Sequence, residues 1–158
     1  LLLEGKVEEA RKLYQAEQRT EVITSASYEV WRRTRIDLIN DYQRLNELDD
    51  ALDKIQELEY RSVIERLDPE VGILRVRLHM ARKELGFALS HALRLMQNRP
   101  ADRFQEELLY LLVELYMIMG ERDRAVSVLR RLLESYPYSE YTAKARDRWV
   151  APETRKNP

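Results

Sequence analysis

The sequence predicts an all-α chain organised as an array of helix pairs. Three observations lead there. Apolar residues recur at spacings of three and four almost everywhere, and the strict alternation of a strand never lasts. Gly 4 and Pro 5 are too few for the many tight turns of an all-β protein. The chain also repeats itself: Ala125, Leu129, Leu132 and Pro137 return 37 residues upstream as Ala88, Ala92, Leu95 and Pro100. Self-similarity at such a period marks stacked supersecondary units, each unable to bury its apolar face alone.

The elements follow in order. Residues 1–20 predict a partial repeat, a second helix carrying Gly5, Ala10 and Tyr14. Residues 24–63 predict a full helix pair. Its first helix carries Tyr28, Trp31, Leu38, Ile39, Tyr42 and Leu45, with Arg35 breaking the stripe, and its second carries Ala51, Ile55 and Leu58. The third unit, 69–100, opens on Asp68-Pro69-Glu70, which supplies an N-cap, a first-turn proline and an early acid. Asn98-Arg99-Pro100 closes it, because the residue before proline leaves the α region. The fourth unit, 101–137, carries Leu108, Leu111, Leu112, Leu115, Tyr116 and Met119, turns at Gly120, and ends at Ser135-Tyr136-Pro137. Residues 139–149 predict a capping helix whose Arg146, Asp147 and Arg148 suit a solvated outer face. Residues 150–158, with two prolines and no apolar period, read as a flexible tail. Acid pairs at Glu8-Glu9, Asp49-Asp50 and Glu106-Glu107 are expected at helix starts, where they complement the helix dipole.

The order Tyr116, Gly120, Ala125, Leu129, Pro137 resembles the tetratricopeptide repeat (TPR), with an aromatic late in helix A, a turn glycine, a small residue early in helix B and a closing proline. The third unit matches at Ala88, Ala92 and Pro100 but has His79 for the aromatic and Lys83 at the turn. The second matches at Tyr42 and Ala51, with Asn46 at the turn and Val63 for the proline. The string Tyr136-Pro-Tyr-Ser-Glu-Tyr-Thr-Ala-Lys-Ala145 is similar to bacterial envelope TPR proteins. The resemblance implies a right-handed solenoid of antiparallel helix pairs with a C-terminal capping helix. It favours a periplasmic or envelope-associated setting within a larger bacterial protein. The lack of Met at position 1 also suggests a piece of a longer chain.

Several chemistries find no support. The 27 basic and 28 acidic residues give a charge of −1, against the basic excess that a nucleic-acid binder needs. With Cys 0, there are no disulfides, thiolate metal sites or cysteine nucleophiles. No glycine-rich phosphate loop is present, and His79 and His91 stand 12 apart without an acid–histidine metal motif, so neither cofactor nor metal is expected. His79 replaces a core aromatic and reads as a packed histidine. No run is long and apolar enough to span a membrane.

The expected function is therefore a non-catalytic scaffold or adaptor. In the family, helix A lines a concave groove that takes a partner peptide or helix. Carried over by position, the partner-binding groove would comprise Arg33, Ile36, Asn40 and Arg44 in the second unit. It would continue through Ile73, Arg77 and Met80 in the third, and Tyr110, Glu114 and Met117 in the fourth. Tyr110 would anchor the partner and the methionines would adapt to it. The family's clamp for a chaperone tail is not reconstructed: Asn40 fits one position, but Ile36 and Leu74 occupy two others. Arg32, Arg33 and Arg35 beside Trp31 read as a solvated face neighbouring Glu29 and Asp37. Two alternatives stay open: a homo-oligomerisation module using apolar ends such as Leu1-Leu2-Leu3, and a regulatory domain of a larger enzyme or transport or secretion system.

Overall fold

The computed structural model describes residues 25–61 and 68–150. They form seven α-helices: α1 (Ser25–Arg44), α2 (Leu48–Arg61), α3 (Pro69–Ala81), α4 (Leu85–Gln97), α5 (Asp102–Ile118), α6 (Arg122–Ser135) and α7 (Glu140–Ala145). A π-helical turn, Arg146–Val150, continues α7. No strand occurs among the described residues, so the chain is all-helical there. The partial repeat at 1–20, the close of the second unit at 62–63 and the tail from 151 lie outside them. Two compact units divide the chain, Leu1–Arg82 and Lys83–Pro158.

In the first unit α1 packs on α2, α2 on α3, and α1 also on α3. The shared core holds Trp31, Ile36, Leu38, Ile39 and Tyr42 from α1, Ala51, Ile55 and Leu58 from α2, and Val71, Leu74 and Leu78 from α3. Fully burying one such large side chain is worth about 1.5–3 kcal/mol. Arg75 ties α3 to α2 through a two-pronged pair with Glu59, its Nε donating at 3.0 Å, and Arg82 pairs with Asp49. In the second unit α4 packs on α5, α5 on α6, and α7 on both α5 and α6. Leu109, Val113, Leu129, Leu132 and Ala145 form a core there, with Tyr110, Tyr141 and Trp149 against it. In the first unit each of the three helices touches the other two; in the second, α5, α6 and α7 do the same and α4 touches α5.

The 37-residue step is visible in the backbone itself. Asn46, Lys83 and Gly120 stand 37 apart, and all three are left-handed, with φ of 60°, 62° and 78°. The amides of Glu47 and Glu121 reach back over this residue to the carbonyls of Tyr42 and Tyr116, both at 2.9 Å. Such a bond satisfies a carbonyl that the helix end would otherwise orphan. The amides of Ala51, Ala88 and Ala125 then open the next helix on the carbonyls of Glu47, Glu84 and Glu121. Those three alanines are wholly buried, as the close approach of two helices requires, and the aromatic positions Tyr42, His79 and Tyr116 are buried too. Leu112, Tyr116, Ala125, Leu129 and Leu132 in the last pair are all buried.

The helix ends follow their signals. Asp68 caps α3, accepting from the Glu70 amide at 2.8 Å, with Pro69 in the first turn. Helices α4 and α6 stop at Gln97 and Ser135, ahead of Pro100 and Pro137. Thr142 sews the last inter-helix turn by donating to the Tyr136 carbonyl at 2.7 Å, and Gln105 sews the previous one by donating to the Pro100 carbonyl, also at 2.7 Å. Two expectations need correcting. Glu106-Glu107 sits a full turn inside α5, and Asp102 takes the first-turn role. The capping segment is not one α-helix: after six residues its hydrogen bonding widens to the π form.

Candidate functional site

The residues expected to line a groove fall into three environments. Ile36 and Ile73 are core residues, only 2% and 3% exposed. They cannot touch a partner. Helix α1 packs on two neighbours, so its buried arc is wide enough to take in Ile36 beside the Trp31–Arg35–Leu38–Tyr42 stripe. Leu74, one of the positions that breaks the chaperone-tail clamp, is buried as well.

In the first unit Arg33, Arg44 and Arg77 are exposed, and Asn40 and Met80 are partly so. They stand on α1 and α3, which lie side by side: Gln43 Nε2 donates to the Leu74 carbonyl at 3.2 Å, and Arg33 reaches Glu70 at 3.6 Å. Arg33 also pairs with Asp37 at 3.3 Å and Arg44 with Asp41 at 3.0 Å. Exposed pairs of this kind contribute little stability, so they can exchange partners cheaply.

The rest of the expected arginine face behaves differently. Arg32 is not solvated: its guanidinium, 14% exposed, bonds Asp68 at 2.6 Å and Glu70 at 3.2 Å, bracing α1 against the start of α3. Arg35 is completely buried, with its guanidinium 4.9 Å from the Trp31 ring centroid, and Tyr28 stacks on the same indole at 5.6 Å. Only Arg33 fits the expected exposed face. The missed signal was distance: Asp68 and Glu70 lie 36 and 38 residues from Arg32, beyond any local pattern.

In the second unit Tyr110, Glu114 and Met117 are partly buried on α5. The chain's own C-terminal segment covers part of this face. Tyr110 meets Tyr141 at 5.7 Å and Trp149 at 5.1 Å between ring centroids. Arg148 donates to Glu114 at 2.7 Å and to the Tyr110 hydroxyl at 3.3 Å. The hydrogen bonds to the Tyr110 hydroxyl and to Glu114 raise the Arg148 pKa above its ordinary value. Lys144 sits 4.8 Å over the Tyr141 ring. Tyr110, expected to anchor a partner, instead anchors the π-helical turn.

Among the described residues no group of three or more histidines and carboxylates is placed to hold a metal ion. No described helix is long and apolar enough to cross a membrane. The chain matches no protein-family model, no curated protein and no solved structure.

Proposed function

We propose that this chain is a TPR-like right-handed solenoid that works as a non-catalytic protein-interaction scaffold, holding a partner peptide or helix against its helix-A faces. Two features support the array: left-handed turns one repeat apart, and a set of three mutually packed helices within each unit. One observation carries the function. Helices α1 and α3 lie side by side and present Arg33, Asn40, Arg44, Arg77 and Met80 to solvent, a polar and adaptable strip over a closed core. Arginines that exchange ion-pair partners suit an acidic or amphipathic segment, and methionine accommodates varied apolar side chains. The similarity of 136–145 to envelope repeat proteins directs the search for that segment to the bacterial envelope.

A photo-crosslinking amino acid at position 40 or 77, compared with one at position 56 on α2, tests this. The proposal expects adducts of defined mass from the first two positions in source-cell extract. It also expects their loss on Arg33→Glu, Arg77→Glu substitution at unchanged helicity. Equal labelling from position 56 would sink it.

A further inference from the structure

The second unit ends on an unevenly anchored segment. Helix α7 is fastened by the buried Ala145 and by Thr142, which donates to the Tyr136 carbonyl. The π-helical turn that follows buries none of its residues, and its backbone packs on α7 and on no other described helix. Two of its side chains nevertheless cross to α5. The Arg148 guanidinium lies 5.0 Å from the Trp149 ring centroid, so the pair forms one stacked cation–ring unit. That unit meets Tyr110, 5.1 Å from the indole, and Glu114, which accepts from the guanidinium at 2.7 Å. The first unit holds the same trio in closed form: Tyr28 stacks on Trp31, Arg35 lies over that indole, and Trp31 and Arg35 are buried. On α5 the trio is open, with Arg148 50% exposed and a carboxylate added. An ion pair this exposed contributes little stability, so one guanidinium can replace another at small cost. Single π-turns recur at functional sites.

We propose that Tyr110 and Glu114 form a recognition site for an arginine followed by a bulky aromatic residue, and that Arg148 and Trp149 are its built-in occupant. A partner segment carrying that pair displaces the turn Arg146–Val150 and leaves α7 in place. Tyr110 takes the ring and Glu114 the guanidinium. One turn further along α5, Met117 and the exposed Ile118 offer apolar contact to the rest of the segment. The tethered occupant competes at high effective concentration, so a segment lacking either group does not open the site. The inference rests on the scaffold reading in one respect, that α5 is a helix-A face. It shares no residue with the α1–α3 strip, and its test uses a defined peptide in place of cell extract, so each can fail alone.

The probe is the pentapeptide Arg-Asp-Arg-Trp-Val, the sequence of residues 146–150, with 5-fluorotryptophan as its indole. Fluorine NMR follows its binding to the 158-residue chain. The Arg148→Ala, Trp149→Ala chain, with the site emptied, should bind the peptide at least about tenfold more tightly than the unmodified chain. Adding Glu114→Lys should abolish that binding, as should alanine in place of the peptide's second arginine and its tryptophan. Circular dichroism checks folding, and a measurement on the unmodified chain covers any variant that fails. With 5-fluorotryptophan in that chain and ordinary peptide in solution, the Trp149 resonance should shift as peptide is added, while that of the buried Trp31 stays. Equal affinity of the unmodified and emptied chains would overturn the inference. So would binding that survives Glu114→Lys, or no binding by either chain. A dimer of the unmodified chain that Glu114→Lys dissociates would overturn it too, since a second copy's turn would then be the occupant.

Discussion

Single residues set the turns, and two glycines, Gly86 and Gly120, predict opposite outcomes. Gly120 is left-handed at φ 78° and Gly86 lies in the first turn of α4; a Cβ at either would meet nothing within 4 Å. Space is therefore not the issue, and only the backbone decides. Gly120→Ala should lose about 1 kcal/mol in urea unfolding, while Gly86→Ala should gain about 0.5 kcal/mol by restricting the unfolded chain. Lys83 carries the left-handed strain without a glycine's freedom, so Lys83→Gly should be neutral or stabilising. Tyr136 gives a pH dependence. Its partial burial, and then the charge and hydrogen bond of Asp102, raise its pKa above the ordinary 10.0. Folding thus favours the neutral phenol. That stabilisation is complete below pH 10 and is lost as pH climbs through the raised value. A spectrophotometric titration should show a phenol that ionises above pH 10.0, and Tyr136→Phe should remove that component.

Helix ends and pair boundaries were legible because their causes are local. A proline, a capping Asp68 and a small residue at the crossing act within a turn or two of themselves, and the 37-residue period fixed where they recur. The repeat register also located Asn46 and Lys83 at turns, although neither is glycine. Other features were hidden because their causes are distant. Periodicity could not show that α1 packs on two helices and so buries Ile36, nor that Arg32 finds its carboxylates on α3. The covering of Tyr110 by Trp149 depends on the π-helical widening, which shifts side chains out of α phase and leaves no mark in the apolar pattern. At this scale Asp68 is the test case, since it caps α3 and also pairs with Arg32. Asp68→Ala should cost about 1 kcal/mol for the cap alone and more for the bond from the largely buried Arg32, which then keeps Glu70. Asp68→Asn keeps the cap and should cost less. Thermal melts of the two variants separate the roles.

For the whole molecule, helices that pack on near neighbours within each unit predict that damage stays near its source. Ala125 is wholly buried where α6 meets α5. Ala125→Leu should overpack that crossing by about 1–3 kcal/mol. Amide exchange should quicken first in α5 and α6, and α1 and α2 should follow only at global unfolding. The left-handed turns at Asn46, Lys83 and Gly120 have a last consequence, for how such a chain can change in length. Asn46, Lys83 and Gly120 share one backbone state, and a glutamate opens the next helix after each of them. A splice from one turn to another therefore preserves helix phase, hydrogen-bond pattern and the buried alanine four residues on. Excising or duplicating residues 84–120 should leave both joints in a conformation the chain already uses, so the molecule can be shortened or extended by recombination in whole 37-residue steps.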